Sequence, residues 1–421
     1  MVAVVSKTPK YLESLNAEQR EAAAYGSGDG PGWQSSPLLI IAGAGTGKTM
    51  PLAHRVAHLV MAGVDPERIL LLTFSRRAAA EMTGRTERIV AAAAQDGQNR
   101  RPVRLRWSGT FHSIANRLLR EYAPNLGLDP AFSVLDRGDA ADTLDVVRQR
   151  LGYGSRERRF PKKDTCLAIY SRRVNTQAPL SETLEQHYPW CADWSEELTT
   201  LFRSYVELKQ EQQVLDYDDL LLYWYHLVSE PELARDISSR FDHVLVDEYQ
   251  DTNRLQAGIL QALRPEGEGL TVVGDDAQSI YAFRAAEVDN ILNFPDQFVP
   301  SARVITLSQN YRSVQPILDS ANTLLAESQR QYRKDLFSSR TSGQRPNYVT
   351  VEDGNAEVDY VVSQILAARE AGTPLRQQAV LFRNAHHSDR LEVELTRRNV
   401  PFVKYGGLKF LEAAHIKDLL A

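Results

Sequence analysis

The chain has 421 residues, 43% hydrophobic and 24% charged, an ordinary balance for a globular protein of two or more domains that argues against disorder. With 49 Lys and Arg against 54 Asp and Glu the net charge is −5, so any contact with nucleic acid must use local basic patches rather than a global field. Cys166 and Cys191 have neither metal-type spacing nor a framework of disulfide partners, no apolar run approaches the ~18 residues of a membrane span, and the start MVAVVSKTPKYLESLN lacks a signal-type core, so a reducing cytoplasm is expected.

In chain order, the first informative stretch is LLIIAGAGTGKTM at 38–50, an apolar strand running into a glycine-rich loop and then the amphipathic PLAHRVAHLVMAG. Gly43, Gly45 and Gly47, with Ala44 and Thr46 between them, allow a tight turn whose amide hydrogens point at an anion, next to the positive end of a helix dipole. In a loop of this form Lys48 reaches terminal phosphates and Thr49 holds Mg²⁺. Ala42 stands where the strict pattern has its first glycine. ILLLTF at 69–74 is a second strand, and HVLVDE at 243–248 and LTVVGDD at 270–276 are two more, each separated by helical stretches. Strand and helix in alternation predict a parallel sheet with helices on both faces, whose ligands sit at the carboxyl ends of the strands. Residues 120–194 read as an α-helical insertion, with a basic loop GSRERRFPKKD at 154–164 that is either a solvated surface or a phosphate contact.

An apolar strand ending in acid completes a nucleotide site. Asp247 is placed to hold Mg²⁺ and Glu248 to activate a water as general base, although an acid pair also suits a helix start. GDDAQSIYAFRAA at 274–286 puts Gln278 after a strand, followed by Tyr281, Phe283 and Arg284; the aromatics are either core or a platform on which bases stack. In LSQNYRS at 307–313, Arg312 is suited to clamp a γ-phosphate and Tyr311 to stack on a flat ring. From about residue 300 a second α/β pattern is expected, with strands RVITL, AVLFR and PFVKYGG among helices.

Taken together and in order, these segments resemble the UvrD/Rep-like superfamily 1 DNA helicases over almost the whole chain, from LNAEQREA at 15–22 to HIKDLLA at 415–421. The resemblance implies a P-loop NTPase (RecA-like) first lobe over 1–119 and 195–299, the helical insertion over 120–194, and a partial second RecA-like lobe over 300–421. It implies ATP and Mg²⁺, with Gln19 reading adenine, AGAGTGKT as the family's usual P-loop form, and Lys48, Asp247, Glu248, Gln278 and Arg312 around the terminal phosphate. It also implies single-stranded DNA and its junctions with duplex as partners, touched by Phe74, Arg76, Thr110 and His112 and stacked on Tyr281 and Phe283 with Arg284 beside them, and repair or replication proteins as accessories. His112 on its own reads equally as a structural histidine, and LDYDDLL at 215–221 as an architectural segment.

Three departures from the family pattern stand out. Phe283 replaces a usual Trp, Met50 and Pro51 follow the P-loop, and the later second-lobe motifs, including an arginine that supplies a second γ-phosphate finger, have no counterpart here. The resemblance therefore implies a 3′ to 5′ translocase and helicase motor represented by its N-terminal portion and catalytically incomplete, since such a finger contributes roughly a thousandfold or more to turnover. A helicase subunit of a nuclease complex and a shortened nucleotide- or DNA-binding protein are the other readings.

Overall fold

The computed structural model describes residues 9–28, 32–94, 104–154 and 159–405. Residues 155–158 of the basic loop, Gly406 and Gly407 of PFVKYGG, and the closing HIKDLLA lie outside that set. The chain divides into two compact units, residues 1–344 and 345–421.

The first unit is built on six parallel strands, β1 (Leu38–Ala42), β2 (Ile69–Thr73), β3 (Trp107–Thr110), β6 (His243–Val246), β7 (Leu270–Gly274) and β8 (Arg303–Leu307), in the order β3-β2-β6-β7-β1-β8. β4 (Ser133–Val134) and β5 (Val214–Leu215) form a separate parallel pair. The central strands are buried at every position and mostly apolar because both faces are covered, with Thr73, His243 and Thr271 the polar residues among them. Alternate residues divide between two cores: Leu39, Ile41, Leu70, Leu72, Val244, Val246 and Val272 face one, and Leu38, Ile40, Ile69, Leu71, Leu245 and Val273 face the other. The second face is covered largely by the helices Thr49–Met61 and Arg76–Ala94. The first is covered by Phe111–Tyr122 and the helices that follow it. This is the α/β, RecA-like arrangement that the motif order predicts.

Two elements differ from the local pattern read in the sequence. The helical region does not stop at residue 194 but continues through Ser195–Glu211, Tyr217–Ser229 and Pro231–Ser239, because the apolar stripes of these helices, with Tyr205 and Trp224 fully buried, belong to the same core. RVITL does not open a second sheet; it is β8, paired with β1 in register Ile40↔Ile305 and Ala42↔Leu307.

LDYDDLL ties the helical region to the sheet. Asp216 and Asp219 cap the helix Tyr217–Ser229 and accept from the buried Lys209 ammonium at 2.6 Å each. Asp218 accepts from Ser171 and Asn175, and Asn175 Oδ1 accepts from Asn253 Nδ2 at 2.7 Å, just beyond the acid pair.

In the second unit, helices Gly354–Glu370 and Asp389–Arg397 pack through Val362, Leu391, Leu395 and Val400. The expected strands AVLFR and PFVKY are not formed: Leu381 is 92% exposed and Val403 74% exposed. A parallel strand gains its hydrogen bonds from neighbours alone, and among the described residues none lies alongside these two. No described helix is long and apolar enough to cross a membrane.

Candidate functional site

Every segment that carries a predicted site residue, except the helix carrying Gln19, lies at the carboxyl end of a strand of the large sheet. β1 leads into the loop 43–48, in which Gly45 and Gly47 take φ of +84° and +80°, a backbone region closed to most side chains. Thr46 Oγ1 closes the loop on the Gly43 carbonyl at 2.8 Å, and the following helix starts at Thr49. Pro51 is buried in the first turn, where a missing amide costs nothing, and Met50 packs beside Leu12, Leu15 and Ala23. Ala42, counted among the loop residues in the sequence, is instead the buried last residue of β1, held in the ladder opposite Leu307.

The loop after β8 is pinned to the glycine loop. Asn310 Nδ2 donates to the Ala44 carbonyl at 2.6 Å and the Tyr311 amide to the Gly45 carbonyl at 2.9 Å. A methyl group on Gly45 would lie 2.8 Å from Arg312 Cβ, so the arginine starts directly beside the loop. On the other flank Gln19 sits in the first turn of Ala17–Ala24, where its side chain completes a capping box with Asn16 and donates to the Thr46 carbonyl at 3.0 Å. Asn16 donates in turn to the Tyr311 hydroxyl at 2.9 Å. Gln19, the glycine loop, Tyr311 and Arg312 are therefore contiguous.

β6 delivers the acids. Glu248 adopts φ 52°, ψ 48°, a strained conformation for a residue with a side chain, and its carboxylate meets Lys48 Nζ at 2.6 Å. Asp247 is buried, with Oδ1 lacking any hydrogen-bond partner among the described residues. Burial, reinforced by the Glu248 charge and opposed by Lys48, pushes Asp247 up to about 7. Asp251, with an unpartnered Oδ1 of its own, is pushed up to about 6, first by burial and then by Glu248. A buried carboxylate oxygen without a partner at a strand end suits a cation. Among the described residues no group of three or more His, Cys, Asp or Glu forms a metal cage.

Gln278 lies in the turn Asp276–Gln278 and donates to Asp275. It is joined to the acids through Gln250, whose amide donates to Glu248 at 2.8 Å and accepts from the Asp275 amide at 2.9 Å. A side chain on Gly274 would strike Gln250 Oε1 at 2.6 Å, so the glycine makes room for this link. Gln250, Asn310 and Asn16 escaped sequence reasoning although each sits inside or next to a quoted motif.

A cleft of about 660 Å³ in the first unit runs from Asp247 and Glu248 to Phe74, Arg76, His112 and Phe283. Phe74, Tyr281 and Phe283 form a ladder with ring centroids 4.8 and 5.7 Å apart. Phe283 is 70% exposed, so it is not a core aromatic. His112 lies edge-on to Tyr217 at 5.8 Å, and burial lowers it to about 4, leaving a neutral ring near pH 7. Thr110 uses its hydroxyl to cap the helix Phe111–Tyr122. Arg76 is exposed at the start of its helix, and the Arg284 side chain lies outside the described atoms.

Residues 15–299 match the UvrD/REP helicase N-terminal domain and residues 305–421 the UvrD-like helicase C-terminal domain. The chain belongs to the UvrD/REP helicase family. The ATP-dependent DNA helicase PcrA of Staphylococcus epidermidis is 33% identical over 413 residues, covering 97% of this chain and 53% of the relative. That of Staphylococcus aureus is 32% identical over 415 residues, with the same coverage, 97% and 53%. The chain thus spans about half the length of these curated relatives. The family's N-terminal domain ends at residue 299, whereas the compact unit carries on to 344 and so includes β8 and the Asn310–Arg312 loop.

Proposed function

We propose that this chain is the ATP-hydrolysing motor portion of a DNA helicase that moves 3′ to 5′ along single-stranded DNA. The observation that carries the reading is the convergence of three strand ends: Lys48 meets Glu248 at 2.6 Å while the Asn310–Arg312 loop is bonded to the same glycine loop. In this reading the amides of residues 43–48 wrap the phosphates, Lys48 neutralises their charge, and Gln19 and Tyr311 flank the base. Lys48 exchanges the Glu248 carboxylate for phosphate, which frees Glu248 to accept a proton from the attacking water. Thr49 and Asp247 would hold Mg²⁺, which when bound withdraws charge from the phosphate oxygens. Gln278 and Arg312 then read the terminal phosphate.

Single-stranded DNA is assigned to the cleft and the aromatic ladder. Phe74, Tyr281 and Phe283 offer faces on which any base can stack, Arg76 and Arg284 supply positive charge, and Thr110 and His112 supply polar edges. Because one cleft reaches both Glu248 and Phe283, strand occupancy and hydrolysis share walls. The test is binding of Mg-ATP and its hydrolysis with and without oligo-dT. Lys48→Ala is expected to abolish binding or turnover, and a variant with wild-type values for both would refute the assignment.

A further inference from the structure

Lys334 has no part in the reading above, yet it is among the most buried charged residues of the first unit, 7% exposed, and it lies at the same strand ends. Its ammonium donates to both Asp275 and Asp276, which follow β7 directly. Asp275 is 2% exposed and its two oxygens are divided. Oδ1 takes the Lys334 ammonium and the Ala277 amide, and Oδ2 takes the Gln278 side-chain amide. The ammonium and the Ala277 amide on Oδ1 thus together set which way the carboxylate faces. A glutamine amide has two N–H groups. With one held by Asp275, the other has a fixed direction.

The segment carrying Lys334 is itself anchored over the site. The Tyr332 amide donates to Asp276, the Phe337 amide donates to the Ser308 carbonyl, and Asn310 donates back to the Phe337 carbonyl at 2.7 Å. Leu336 covers Gly43 so closely that a methyl group there would lie 2.8 Å from Leu336 Cδ2. One cation with two acids in a dry site is a poor source of net stability, so its geometry is the more telling property.

We infer that Lys334 is a positioning residue for terminal-phosphate recognition, acting through Asp275 to aim Gln278. This rests on the proposed role of Gln278 as reader of that phosphate. The consequence is specific: Lys334 contributes to preference for a triphosphate over a diphosphate, not to nucleotide affinity as such.

The test uses the full chain and two probes, Mg-ADP and Mg-ATPγS, with Gln278→Ala, Lys334→Met and the double variant. Lys334→Met is expected to reduce the ATPγS-over-ADP preference about tenfold, the size of one hydrogen bond to a charged group, with ADP affinity held within about twofold. In a Gln278→Ala background it should produce no further loss, because the two act in series. Additive losses, or equal weakening of both nucleotides, would overturn the inference. So would a silent Lys334→Met beside an effective Gln278→Ala, which leaves the Gln278 reading standing. A Gln278→Ala variant with undiminished preference instead removes that reading, and the inference with it. If Lys334→Met does not fold, Lys334→Met/Asp276→Asn, which keeps the cluster's formal charge at −1, is judged by the same outcomes.

Discussion

Adding one methyl group at Gly45 tests the cradle more sharply than any charge change, because Gly47 provides a control two residues away. Both glycines hold left-handed backbone, φ +84° and +80°, and an alanine in that region costs about 1–2 kcal/mol at either position. The surroundings differ. At Gly47 the new carbon would sit 3.4 Å from Gln19 Nε2, which is ordinary contact. At Gly45 it would sit 2.7 Å from Asn310 Nδ2 and 2.8 Å from Arg312 Cβ, against an optimum of about 3.5–4.0 Å for carbon pairs. Asn310 cannot retreat freely, since its amide donates to Ala44 at 2.6 Å while its carbonyl accepts from the Arg312 and Ser313 amides. Losing one of these bonds adds about 1 kcal/mol. Gly45→Ala should therefore cost about 1–2 kcal/mol more than Gly47→Ala, read as the difference in urea midpoint, and it should also weaken Mg-ATPγS more than Mg-ADP by displacing Arg312. A Gly47→Ala variant as destabilised as Gly45→Ala would show that backbone strain alone governs the loop and that the Asn310–Arg312 contact carries no energy.

Two further outcomes follow from other parts of the first unit. Phe283→Ala should weaken single-stranded DNA binding by about 1–3 kcal/mol while leaving Mg-ADP affinity unchanged, as read by fluorescence anisotropy and calorimetry; equal losses in both would return the ring to a packing role. Asp218 is pushed up to about 6, first by burial and then by the Asp216 charge, so the folded protein keeps a proton that the unfolded chain releases near pH 4. Stability from this group is therefore complete at low pH and is lost as pH rises towards 6. Asp218→Asn keeps an acceptor for Ser171 and Asn175 and should stabilise the protein at pH 8 by up to about 3 kcal/mol, from roughly two pH units at ~1.4 kcal/mol each, with the gain vanishing near pH 4. A gain independent of pH, or a loss at pH 8, would contradict this.

What could be read from the sequence was whatever a single strand places. LLIIA, ILLLT, HVLV and LTVVG announce themselves because a doubly covered parallel strand is predominantly apolar, and the residue after each one inherits a position at the ligand edge. The glycine loop, the Asp247–Glu248 pair and Gln278 were accessible on that ground. Sheet membership was not, because RVITL has the same local pattern whether it closes one sheet or begins another, and only its pairing with β1 decides. AVLFR shows the converse: strand composition does not make a strand without a neighbour in register.

The same distinction separates Glu248 from Lys334. Glu248 reaches Lys48 across 200 residues, yet both belong to strand-end segments with their own signatures. Lys334 finds Asp275 from 59 residues away, in a stretch, QYRKDL, whose composition is that of a solvated loop. Its burial depends on Leu336 lying over Gly43 and on Phe337 exchanging backbone bonds with Ser308 and Asn310, none of which a periodic pattern encodes. Charged residues are rarely buried without partners, so a lysine in this state implies acids that had to be brought to it by the whole fold. Gln250 completes the argument. It is the residue that joins the Glu248 carboxylate to the backbone of Asp275, and it does so only because Gly274 has no side chain to block it.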